Sequence, residues 1–177
     1  GVRPIVGTTG LSVAFVEHMV AASREAKVGG VIASNFALGA VMMMHLAAIA
    51  APFFDSVEVI EQHHDGKVDA PSGTAMTTAQ KMRAARDSDF QRNVADRETL
   101  PNARGADLGG VTLHSVRLPG LVAHQEVYFG GVGETLKLRH DSISRESFMP
   151  GVLRAVRESA GLDQIVVGLD RLLGLVQ

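Results

Sequence analysis

The apolar positions of this 177-residue chain change period along its length. Pro4 to Val6 is a short apolar run that stops at Gly7-Thr8-Thr9-Gly10. Leu11, Phe15, Met19 and Ala22 then recur at helical spacing around Ser12, and Val28 to Ala33 is apolar again. The pattern predicts a strand, a helix capped by Ser12 and running to about Ala26, and a second buried strand. A strand-helix-strand unit of that length implies a parallel sheet, with ligand contacts at the carboxyl ends of its strands.

From Leu38 to Phe54 apolar residues are nearly continuous, and Met42, Met43, Met44, Leu46 and Ile49 predict a helix buried on most sides, its methionines filling the core. Ser56 to His63 alternates, as a strand ending at two histidines would. Pro71 and Ser72 signal a helix over 73 to 85. Residues 86 to 109 are charged and poor in apolar side chains, which predicts a long surface loop. Three alternating runs follow, Val111 to Arg117, Leu121 to Phe129 and Glu134 to His140, separated by Leu118-Pro119-Gly120 and by the hairpin turn Gly130-Gly131-Val132-Gly133. They predict an antiparallel meander that joins the strand at 56 to 63 in a four-stranded sheet. A helix over Arg145 to Ala160, a strand at Ile165 to Val167 and a helix over Leu169 to Leu175 complete the chain.

Composition narrows the function. A net charge of −2 and 5% aromatic content exclude the basic, stacking surface of a nucleic-acid binder. The chain has no cysteine, so thiolate metal sites and disulfides are excluded and a cytoplasmic setting is expected. The longest apolar run, Leu46 to Phe54, is broken by Pro52 and too short to span a bilayer. Gly1 stands where methionine is expected, and a strand opening at residue 4 reads as the middle of a sheet, so a preceding segment is expected.

The candidate chemistry lies in Glu58 to Thr74. An alternating run feeds His63 and His64, Lys67 follows three positions later, and Pro71-Ser72-Gly73-Thr74 opens a helix. Acid/base groups, a cation and the free amides of a helix start make a receptor for a small anion that exchanges a proton. No metal site is expected: neighbouring strand residues point to opposite faces, and no third ligand follows at metal spacing. Gly7, Thr8 and Thr9 after the first strand, and Ser34, Asn35, Phe36 and Ala37 after the second, are polar turns suited to either an ordinary loop or a cofactor contact. The chain holds no G-x-G-x-x-G.

The block from Glu61 to Ala75, Glu-Gln-His-His-Asp-Gly-Lys-Val-Asp-Ala-Pro-Ser-Gly-Thr-Ala, closely resembles the signature of the 4-hydroxy-tetrahydrodipicolinate reductase (dihydrodipicolinate reductase) family, with further matches at Val6 to Gly10, Ser34 to Ala37 and Gly130 to His140. The resemblance implies an α/β fold. In it, residues 1–37 and 145–177 belong to a Rossmann-like dinucleotide-binding domain, and 38–144 to an inserted α+β substrate-binding and oligomerisation domain of four strands and two helices. It implies reduction of a cyclic imine dicarboxylate with NADH or NADPH in lysine and diaminopimelate biosynthesis, within a homotetramer. By the same resemblance His63 and Lys67 are catalytic, His64, Gly73 and Thr74 bind substrate, and Gly7, Thr8, Thr9 and Ser34 to Ala37 contact the cofactor. Family members commonly carry a basic, proline, histidine or asparagine pair where this chain has Asp65-Gly66, and an acid there repels a dicarboxylate unless it faces water. Two other readings stand beside this one: a non-catalytic dicarboxylate-binding or oligomer-forming module, and another two-domain dehydrogenase sharing only the architecture.

Overall fold

The computed structural model describes residues 1–8 and 10–175; Thr9, one of the expected cofactor contacts, lies outside the described residues. In chain order the elements begin with β1 (Ile5–Val6), α1 (Val13–Ala26), β2 (Gly30–Ile32), α2 (Leu38–Ala50), β3 (Ser56–His63) and α3 (Gly73–Ala84). They continue with β4 (Ala106–Leu108), β5 (Val111–Arg117), β6 (Ala123–Gly131), β7 (Glu134–Ser142), α4 (Met149–Ser159), β8 (Ile165–Val167) and α5 (Leu169–Leu172). The chain forms two compact units, 1–42 with 145 onward, and 43–144. Among the described residues no helix is long and apolar enough to cross a membrane.

In the first unit β1, β2 and β8 form a parallel sheet in the order β1-β2-β8. Ser12 caps α1, its hydroxyl accepting from the Phe15 amide at 3.2 Å, and Lys27 closes the helix in the left-handed region. The buried face of α1 differs from the expected one. Phe15 is 47% exposed, and the most buried position is Ser23, whose hydroxyl accepts from Ile165 N at 2.8 Å. A small side chain lets the helix approach β8 and a polar one satisfies the strand amide, which apolar periodicity does not register. Gly151 in α4 packs equally close: a Cβ there would lie 2.0 Å from Phe36 O.

In the second unit the sheet has five strands, not four, in the order β4-β5-β3-β6-β7. β4 lies inside the stretch expected to be loop; its three residues are too few and too polar to show alternation, yet Ala106 to Leu108 pair with Val111 to Leu113. The three later runs do not form a meander. β3 lies between β5 and β6, parallel to the first and antiparallel to the second, so Leu118-Pro119-Gly120 carries the chain across the end of β3. Leu118 N donates to His63 O at 3.1 Å on the way. β6 and β7 do form the expected hairpin around Val132 and Gly133.

The core lies between one face of this sheet and two helices. Val57, Val59, Val111, Leu113, Val127 and Phe129 meet Met43, Ala47 and Ala51 on one side and Ala75, Ala79 and Met82 on the other. α2 is buried on most sides, with Ala40, Val41, Met43, Met44 and Ala47 inside, and is open along one stripe where Met42, Leu46 and Ile49 are 39–52% exposed. The segment from Ala85 to Gly105 is anchored by Arg86. Its guanidinium donates to Ala51 O at 2.6 Å and to Phe54 O, and stacks 4.2 Å over the ring of buried Phe90.

Candidate functional site

Alternation places residues 57, 59, 61 and 63 of β3 on the inner face, and the register aligns the neighbouring strands in rows. Val59 shares a row with Leu113, Val127 and Leu138, and the row is apolar. The next row is Glu61, Ser115, Gln125 and His140, and the last is His63, Arg117, Ala123 and Ser142. The inner face thus turns from apolar to polar toward the carboxyl end of β3. There α3 begins, and the Leu118–Gly120 crossing closes the strand end.

Glu61 is the centre of this polar end and is fully buried. Its Oε2 lies 2.5 Å from His63 Nδ1 and accepts from Arg117 Nη1 at 2.9 Å. Its Oε1 accepts from Arg117 Nη2 at 2.7 Å and from the Ser72 amide at 3.2 Å. Burial alone pushes this carboxyl up, but the hydrogen bonds from His63, Arg117 and Ser115 outweigh it and bring the value down to about 2. Arg117 is fixed in turn: its guanidinium also donates to Asp69 O at 2.6 Å and Val116 O at 2.7 Å.

Ser72 caps α3, its hydroxyl accepting from Ala75 N at 3.2 Å. The amides of the first turn therefore open at the end of β3, where the helix field favours an anion. Asp69 is held at that point: its carboxylate pairs with Lys67 Nζ at 2.6 Å, and the Gly73 amide donates to it. The Lys67 hydrogen bond, which outweighs the opposing effect of burial, and the Gly73 amide hold this carboxyl below its ordinary value. His64 is half-buried and starts the turn that Lys67 N closes on His64 O at 3.2 Å. Asp65 is exposed, so its carboxylate faces water. Thr74 sits in the first turn of α3, its carbonyl accepting from Thr78 Oγ1 at 2.8 Å. His63, His64, Lys67, Gly73 and Thr74 lie on one stretch, in which Glu61 joins His63 to Ser72 and Asp69 joins Lys67 to Gly73. His114 and His124 face the other side of the sheet and are paired at 2.7 Å with Glu58 and Asp141 respectively.

The expected cofactor contacts lie in the first unit. Thr8 follows β1, and Ser34 to Ala37 follow β2. Asn35 Oδ1 accepts from Ala37 N at 2.8 Å, and a Cβ on Gly7 would lie 3.3 Å from the Phe36 ring, so the two turns are adjacent. They stand at the carboxyl ends of parallel strands, where a dinucleotide is held in open α/β sheets. The residues present fit one flank of such a cofactor; the glycine-rich phosphate turn is not in this sequence.

Sequence reasoning assigned no role to Glu61 or Arg117. The signal for Glu61 was present: a glutamate in phase with Val57 and Val59 on a half-buried strand must find partners inside. Arg117 carried no such signal, because the meander expectation kept β5 away from β3.

Known proteins resemble this chain over nearly its whole length. The family model described as dihydrodipicolinate reductase, C-terminus, matches residues 39–173. The 4-hydroxy-tetrahydrodipicolinate reductase of Bacillus licheniformis is 54% identical over 173 residues, 98% of this chain and 65% of that protein. That of Bacillus subtilis is 51% identical over the same shares. A dipicolinate-bound dihydrodipicolinate reductase from Paenisporosarcina sp. TG-14 superposes with a TM-score of 0.82 at 47% identity, covering 96% of this chain and 64% of that one. The chain spans about two thirds of the length of these relatives.

Proposed function

Since this chain belongs to the dihydrodipicolinate reductase family, we propose that it serves the reduction of 4-hydroxy-tetrahydrodipicolinate to tetrahydrodipicolinate in lysine and diaminopimelate biosynthesis, with NADH or NADPH. The observation that carries this reading is the pairing of an acid/base histidine with an anion receptor at one strand end: Glu61 joins His63 to Ser72, and Asp69 joins Lys67 to Gly73.

In this reading NADH or NADPH, when bound, would supply the hydride that the substrate ring receives. The ring then carries additional negative charge, and His63 delivers the proton that completes the reduction. Lys67 offers a fixed cation to that charge. His64 and the Gly73 and Thr74 amides receive the two carboxylates, favoured by the helix N-terminus. The bound dipicolinate of the Paenisporosarcina relative, a planar dicarboxylate, supports this class of ligand. Gly7, Thr8, Thr9 and Ser34 to Ala37 would hold one flank of the cofactor. The outer face of the five-stranded sheet is proposed as the surface of a homotetramer, working in the cytoplasm; a monomer in light scattering overturns the tetramer.

The test is turnover. NADH or NADPH is oxidised only in the presence of the cyclic dicarboxylate, and His63→Gln lowers kcat far more than it raises KM. Unchanged turnover in His63→Gln removes the assignment. The anion receptor at the start of α3 also supports a second reading, a non-catalytic dicarboxylate-binding and oligomerisation module. Calorimetry separates the two: binding of 2,6-pyridinedicarboxylate without NADH or NADPH binding identifies the module.

A further inference from the structure

We propose that Glu61, clamped by Arg117, is a positioning residue for proton transfer: its carboxylate holds the Nδ1–H of His63, so that Nε2 is the nitrogen presented to a ligand. The inference rests on the reading of His63 as proton donor.

An ionised carboxylate only accepts hydrogen bonds, so the histidine nitrogen 2.5 Å from Glu61 Oε2 must carry hydrogen. That leaves Nε2 with a lone pair when the ring is neutral and with an N–H when it is charged. On transfer the Nε2–H bond breaks and its electron pair stays on the ring. The proton goes to the ligand, and the neutral imidazole keeps its Nδ1–H on Glu61.

Glu61 can play this part because of Arg117. The carboxylate is fully buried, and the two-pronged guanidinium contact compensates its charge, so Glu61 stays ionised and does not take the proton itself. Arg117 is held by the Asp69 and Val116 carbonyls, which removes its freedom to turn away. The Ser72 amide on Oε1 ties the start of α3 to the same anchor. The orientation of the donor ring and the position of the anion-binding amides are therefore set by one side chain.

Nuclear magnetic resonance of the 15N-labelled protein, at a pH where the His63 ring is neutral, reads the tautomer directly. The expected result is hydrogen on Nδ1; hydrogen predominantly on Nε2 overturns the proposal without any variant. In Glu61→Gln the acceptor is replaced by an amide, and the population shifts toward Nε2–H. An unchanged tautomer there overturns the proposal whatever the turnover. Turnover falls roughly 10- to 100-fold in that variant with KM nearly unchanged. The two levels separate: an unaffected His63→Gln removes the proton-donor reading. An inactive His63→Gln beside a fully active Glu61→Gln removes only the role of Glu61.

Discussion

His63 Nδ1 stands 2.5 Å from Glu61 Oε2, two residues back along β3. The spacing is the strand period, so both side chains are on the inner face, and the histidine is the first of that face's residues in β3 to reach solvent: it is 14% exposed while Glu61 is wholly buried. A charged residue at the boundary of the core thus acts on a group at the surface, and its protonation affects both stability and site.

Glu61 makes stability depend on acid. Its folded-state value is about 2 against an ordinary 4.5, so the unfolded chain binds a proton more readily. The contribution is fully present above about pH 4.5 and is lost as pH falls through 4.5 toward 2. A lowering of that size corresponds to an order of 3 kcal/mol. Urea unfolding at pH 6 and pH 3 should show the fall, and Glu61→Gln should flatten it. An equal slope in that variant assigns the acid sensitivity elsewhere.

Arg117 has the opposite dependence on its partner. Arg117→Met leaves the Glu61 charge buried with its main compensation gone, which costs about 3–5 kcal/mol. Adding Glu61→Gln removes the stranded charge, so the double variant is expected to be more stable than Arg117→Met alone. A double variant less stable than that single one contradicts the pairing. Denaturant midpoints at neutral pH decide it.

Much of this was legible in the sequence, and the reasons are physical. β3 ends at His63 as the alternation said, Ser12 and Ser72 cap as their side chains predict, and Val132-Gly133 turns a hairpin. Each of these depends on local chemistry. What was not legible is which strand lies beside which. Alternation is the same in parallel and antiparallel strands, so it could not show that β3 enters between β5 and β6. The clue lay in the crossover: β3, α3 and β5 make a strand-helix-strand unit, which favours parallel neighbours. Without that pairing Arg117 could not be placed opposite His63, and the clamp on Glu61 stayed invisible. The exposed stripe of α2 was hidden for another reason, since a helix apolar all round gives no periodicity to read.

The segment from Ala85 to Gly105 should owe its course to Arg86. That guanidinium holds Ala51 O and Phe54 O and covers Phe90. Arg86→Ala removes these contacts and leaves two carbonyls short of a donor. A loss of roughly 1–3 kcal/mol is expected, together with faster amide exchange at Gln91, whose N–H bonds to Asp55 O. Unchanged exchange at Gln91 shows that the other anchors, buried Phe90 and the Arg104–Glu58 pair among them, hold the segment without Arg86.

In the proposed reading Asp69 sits on the cation and the amide that a ligand carboxylate would use. Its carboxylate lies 2.6 Å from Lys67 Nζ and accepts from the Gly73 amide, so an anion taking up the proposed contacts would displace it. Asp69 is 42% exposed and its pair with Lys67 is partly open to water, where such a pair is worth about 0.2–1 kcal/mol. Asp69→Asn should therefore tighten 2,6-pyridinedicarboxylate binding by up to about fivefold, since 1.4 kcal/mol is tenfold. Lys67→Met should weaken it roughly tenfold or more, because the cation itself is lost. Raising salt weakens binding to both the wild type and Asp69→Asn, and narrows the difference between them. Weaker binding in Asp69→Asn means that Asp69 orients Lys67 for the ligand and does not compete with it. Calorimetry on the two variants distinguishes these cases.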